Sequence, residues 1–112
     1  METKNTNESS LPPGLVDMTV LERVAPVIRT AAHPLRLRIL DYLRHVAEPR
    51  TVTQIIAACG VEQAIVSQQL RILKDRGILA ARRKGTFIYY SIADPSVLFL
   101  LDCIREKERR NG

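Results

Sequence analysis

Tryptophan is absent from these 112 residues, aromatic side chains make up 4%, and there are two cysteines and two histidines. So few thiols provide no disulfide framework, and a reduced pair suits a reducing compartment. No apolar run approaches the ~20 residues that a transmembrane helix requires, so no membrane partner is expected. The opening stretch METKNTNESS lacks the basic-then-apolar layout of a secretion signal, and the expected location is cytoplasmic. A glycine-rich phosphate loop, a nucleophile–base signature and a local carboxylate pair are also missing, which argues against an enzyme.

What is present is basic charge, and it is unevenly spread. The net charge is +5, yet residues 1–22 hold one Lys against four acids. Residues 23–61 hold six Arg against two acids, and residues 62–92 hold six Lys and Arg against Glu62 and Asp75. A cationic middle is what a phosphate-binding surface needs, because neutralising phosphates releases condensed counterions. Charge alone fits a solvated basic face equally well.

The length allows one domain, and so small a core makes dimerisation an ordinary source of added stability. Residues 1–14 read as a loose tail ending in Pro12-Pro13-Gly14, and 15–110 as the folded domain. From Leu15 to Ala32, apolar Leu21, Val24, Ala25, Ile28 and Ala32 recur at helical spacing, with Pro26 as a kink or a delayed start. Pro34 suits the first turn of a second helix to about Val46, with either Leu37, Leu40 and Leu43 or Ile39 and Leu43 turned inward. Thr51 or Thr53 can cap a short third helix through Ala58, followed by Gly60. A fourth helix is expected from Glu62 to Asp75, with Val66, Leu70 and Leu73 along one face. Ile78–Arg83 and Phe87–Ile92 flank Lys84-Gly85-Thr86 as a β-hairpin, and Asp94-Pro95 opens a last helix to about Arg109.

This order is mainly α with a small β-hairpin, and Thr53 to Asp75 forms a helix-turn-helix around Gly60. The outward face of its second helix offers Gln63, Ser67, Gln68 and Arg71, with Ala64 allowing close apolar approach, and no acid occurs from Gln63 to Leu73. Such a helix fits the major groove, where Gln pairs bidentately with adenine and Arg with guanine. Arg82, Arg83 and Lys84, beside Thr86 in the turn, would place a cationic wing on the backbone or in the minor groove. Edge-strand cations also serve simply to block aggregation, but here they directly follow a helix-turn-helix.

The stretches Ala32-His33-Pro34-Leu35-Arg36-Leu37-Arg38-Ile39-Leu40, Val66-Ser67-Gln68-Gln69-Leu70-Arg71-Ile72-Leu73-Lys74, Gly77-Ile78-Leu79, and Gly85 with Tyr89-Tyr90 resemble the ArsR/SmtB family. The resemblance covers roughly residues 18–105. It implies a winged helix-turn-helix homodimer joined through its first and last helices and bound to an imperfect palindrome in double-stranded DNA. It further implies a repressor released by a small effector, here unknown, with Ser67, Gln68 and Gln69 at recognition-helix positions. The family's thiol metal site would fall on Thr51-Val52-Thr53, which has no thiol. Its last-helix site would fall on Asp94, Ser96, Lys107 and Arg110, where three of four donors are replaced. No metal and no other cofactor is therefore expected.

Cys59 and Cys103 leave a thiol-based redox or sulfur-species sensor as one alternative, although buried cysteines usually act as small hydrophobes. Related redox sensors carry their cysteine pair on the second and last helices, and the corresponding second-helix residue here is Asp41. His33 belongs to the structural His-Pro element, and His45 sits near a helix end that favours an imidazolium. A winged-helix protein-interaction module without DNA binding is the other alternative, and Arg71 with the cationic wing argues against it.

Overall fold

A computed structural model of the chain describes residues 12–111. Among them lie five helices and three short strands: α1 (Met18–Ala31), α2 (Pro34–Val46), β1 (Arg50–Thr51), α3 (Val52–Cys59), α4 (Gln63–Asp75), β2 (Leu79–Lys84), β3 (Phe87–Ile92) and α5 (Ser96–Asn111). The expected tail lies mostly outside the described residues; Pro12, Pro13 and Gly14 are exposed.

Local chemistry sets most of these boundaries. His33 caps α2, its Nδ1 accepting from the Leu35 amide at 3.2 Å, and Pro34 supplies the preset first turn. Thr51 caps α3 in a reciprocal capping box with Gln54, which decides between the two threonines considered. Gly60 then takes φ +69°, a left-handed turn that costs glycine little, and releases the chain into α4. At the far end, Asp94 Oδ1 accepts from the Ser96 amide at 3.0 Å and from its hydroxyl at 2.6 Å. That carboxylate is the cap of α5.

The core joins Ile39, Leu40 and Leu43 of α2 to Ile55 and Cys59 of α3 and to Val66, Leu70 and Leu73 of α4. Ile78, Leu79, Val97 and Leu101 close it. Ile78 lies just before β2 and is fully buried, its carbonyl accepting from Ala93 at 2.8 Å and Asp94 at 3.2 Å. The hairpin strands are therefore locked to the base of α5. The sheet order is β1-β3-β2, antiparallel throughout, with Arg50 opposite Tyr90 and Thr51 opposite Tyr89.

Two features differ from the sequence reading. Strand β1 has only two residues, too few for any alternation to register, and it forms because β3 offers a free edge. Helix α1 begins at Met18 and runs through Pro26. Its stripe is not inward along its length: Thr30 and Ala31 are buried, whereas Leu21 and Ile28 are exposed. The protomer's core takes in Ala31 at the end of α1, with Val27 packed against it. On α5, Cys103 is exposed and Leu101 is buried within its own protomer.

Helix α5 packs on α1 and α2. Arg44 donates to the Leu98 carbonyl at 3.1 Å and pairs with Asp102 at 2.5 Å, while Arg105 pairs with Asp41 at 2.8 Å. These pairs are part-exposed, so each is worth at most ~1 kcal/mol, and they orient α5 more than they stabilise it.

Candidate nucleic-acid interface

Helix α4 turns Val66, Leu70 and Leu73 into the core against α2, α3 and β2. The opposite face is exposed and carries Gln63, Ala64, Ser67, Gln68 and Arg71. Its polar atoms are amides, a hydroxyl and a guanidinium, so it offers donors and acceptors to base edges without a repelling carboxylate. The α3–α4 packing around Gly60 fixes this face against the rest of the domain.

Gln69 does not share that face. It is buried, and its Oε1 accepts from Arg36 Nε at 2.7 Å. The spacing accounts for this, because Gln69 lies three residues after Val66 and four before Leu73, on the inward stripe. The expectation that it faces DNA is corrected on that ground.

The wing is a hairpin closed by Gly85 and Thr86, with Gly85 at φ +67°. Lys84 faces Phe87, Arg83 faces Ile88 and Arg82 faces Tyr89 across the strands. Side chains alternate along a strand, so the three cations do not form one patch. Arg83 extends the face that begins with buried Leu79, the side turned toward α4. Arg82 and Lys84 lie on the other face, with Tyr89 and Phe87. All three cations are exposed. Phe87, read from the sequence only as a strand former, is 56% exposed beside the turn. An aromatic residue directly after a glycine turn was the available sign that it occupies the wing tip.

The cysteines occupy unlike environments. Cys59 is buried in the core, and that burial pushes its thiol up from 9.0, with the Arg38 charge pulling the other way. A sensor thiol needs access and a lowered pKa, and Cys59 has neither. A thiol reagent at pH 8 should label Cys103 promptly and Cys59 at least about tenfold more slowly; equal rates would show that Cys59 is accessible. The folded thiol titrates above the unfolded one. Its stabilising contribution is therefore complete below about pH 9.0 and is lost as pH rises through the raised folded value. Asp41, where related redox sensors carry a cysteine, is held by Arg105. Asp94, at the metal-site position, is engaged as a helix cap. No group of three or more His, Cys, Asp or Glu occurs in metal-holding proximity among the described residues.

Comparison with known proteins agrees with this geometry. A helix-turn-helix domain family matches residues 31–82. The chain is 40% identical over 91 residues to the HTH-type transcriptional regulator NmtR of Mycobacterium tuberculosis, covering 81% of this chain and 74% of NmtR. It superposes on the antimony-specific transcriptional repressor AntR with a TM-score of 0.73 and 34% identity, covering 89% of this chain and 96% of AntR. It also resembles the homodimeric winged helix-turn-helix DNA-binding domain of Mb0332 from Mycobacterium bovis, described as a possible ArsR-family regulator. That TM-score is 0.66 at 33% identity, covering 89% of this chain and 93% of that domain.

Proposed function

From the chain's membership of the ArsR/SmtB family of DNA-binding transcriptional regulators, we propose that it acts as a homodimeric repressor on an imperfect palindrome. Two copies join through α1 and α5, placing two α4 helices in successive major grooves about one helical turn apart. Residues 15–110 form this DNA-binding and dimerisation domain. The observation that carries the reading is the exposed, acid-free face of Gln63, Ser67, Gln68 and Arg71, set beside a cationic hairpin. Gln68 and Arg71 read bases, Ala64 allows close approach, and the wing with Thr86 holds the backbone.

The apolar side chains left uncovered on the two end helices support the dimer. Leu21 and Ile28 on α1 and Phe99 and Ile104 on α5 are exposed, with Phe99 at 73%. A monomer would leave these surfaces in water. The family's members are regulators, not enzymes. No helix among the described residues is long and apolar enough to cross a membrane, and we place the protein in the cytoplasm with its DNA. A small effector releases it; Ser96, Lys107 and Arg110 at the last-helix metal positions, and Thr51-Val52-Thr53 at the thiol site, are unsuited to zinc.

The test is a gel shift on the duplex upstream of its own gene, repeated with metals, oxidants and sulfide species. Retarded DNA that one addition releases supports the proposal, and no retardation at any salt concentration opposes it. The wing can be tested in the same assay. Arg83→Ala should weaken binding to all sequences alike and lower the salt slope by about 1 per protomer. Arg82→Ala should lower it less, since Arg82 faces away from α4. Identical slopes for wild type and Arg83→Ala would keep the wing off the DNA.

A further inference from the structure

The half-buried Arg36 side chain ties its own helix to two others. Arg36 stands in the first turn of α2, donates from Nε to Gln69 Oε1 in α4 at 2.7 Å, and donates from Nη1 to the Thr30 carbonyl in α1 at 2.9 Å. Both acceptor residues are buried, Thr30 at 7% and Gln69 at 8% exposure. Gln69 is the one polar residue of α4 among its buried positions, which are otherwise Val66, Leu70 and Leu73.

We propose that Arg36 and Gln69 form a buckle that positions the reading helix relative to the dimerisation helix. The proposal rests on α4 being the helix that enters DNA. Apolar packing alone lets α4 rotate or slide on its greasy stripe, because that contact has little directionality. A planar guanidinium with two donors in fixed geometry removes this freedom. It holds the middle of α4 at a set angle to the end of α1, and α1 belongs to the proposed dimer interface. Two such buckles set the distance and tilt between paired α4 helices, and therefore the half-site spacing that the dimer accepts. Arg36 and Gln69 are thus positioning residues and need not touch DNA.

The experiment uses the full chain and a duplex selected by the wild-type protein from a random pool, with a scrambled duplex for comparison. Arg36→Met and Gln69→Met should each lower affinity for the selected duplex about tenfold to a hundredfold, since either leaves a buried partner unmatched. Affinity for the scrambled duplex and its salt slope should stay at wild-type values, because the cationic surface is intact. Combining the two substitutions should cost little more than one alone. Selected duplexes with half-sites moved apart by one base pair should discriminate less sharply with either variant.

Gln69→Glu separates a buckle from direct reading. A carboxylate there pairs with Arg36 and should retain binding, whereas a carboxylate facing phosphates would abolish it. Circular dichroism confirms folding for each variant, and Gln69→Glu serves if Arg36→Met does not fold. Additive losses, wild-type affinity in Arg36→Met, or loss of binding in Gln69→Glu would each overturn the buckle while leaving wild-type DNA binding in place. Failure of the wild-type chain to enrich any duplex would instead remove the underlying DNA-binding proposal, and the buckle with it.

Discussion

Ile104→Glu should convert the protein to monomers and reduce operator affinity by about two orders of magnitude or more. Ile104 is 43% exposed on α5, so its side chain is not part of the protomer's own core. Covering its remaining exposed surface in an interface is worth ~0.6–1.3 kcal/mol, and a two-fold axis makes every substitution act twice. Glutamate forfeits that gain and adds an unpaired charge on each side. A combined loss of at least ~3 kcal/mol weakens dimerisation more than a hundredfold. Affinity for a two-half-site duplex then falls because one reading helix binds at a time. Sedimentation equilibrium and fluorescence anisotropy measure the two effects, and a stable Ile104→Glu dimer would refute the assignment of α5 to the interface. Leu101 is a poorer choice for this test. It is 3% exposed within its own protomer, so a charge there damages the fold before it reports on association.

Gln68→Ala should cost ~1–3 kcal/mol per half-site, and it should do so at particular bases. With two half-sites the loss reaches ~2–6 kcal/mol, or about thirtyfold to ten-thousandfold. The selectivity is the informative part. Gln68 is exposed on the face of α4 opposite the core, and an amide there discriminates by its paired donor and acceptor. Operator variants changed at one base pair should lose affinity with wild type but not further with Gln68→Ala at the position it reads. Arg71→Ala should show the same pattern at a guanine. A uniform loss across all variants would make these residues backbone contacts and move sequence reading elsewhere.

Much of this was legible in the sequence. The α4 stripe of Val66, Leu70 and Leu73 fixes which side is inward, and the glycine turns at Gly60 and Gly85 fix where helix and hairpin reverse. Their signals are local, so no distant partner is needed to read them. The same periodicity, pressed one step further, places Gln69 inward. A polar side chain amid polar neighbours hides that, and its match, Arg36, lies 33 residues away. Helix α1 shows the opposite ambiguity. A hydrophobic stripe records that a face avoids water, not whether the same chain or a second copy covers it. The division of Arg82 and Lys84 from Arg83 follows from strand alternation, once Leu79 is known to be buried.

Addition of an operator duplex to isotopically labelled protein, followed by backbone amide NMR, examines the reading surface most directly. The amides of Gln63, Ser67, Gln68 and Arg71 and of the hairpin from Arg82 to Phe87 should shift strongly, while the exposed end of α5 beyond Arg105 stays unchanged. Shifts concentrated on α5 with α4 and the hairpin silent would contradict a duplex-binding role for the winged helix-turn-helix surface.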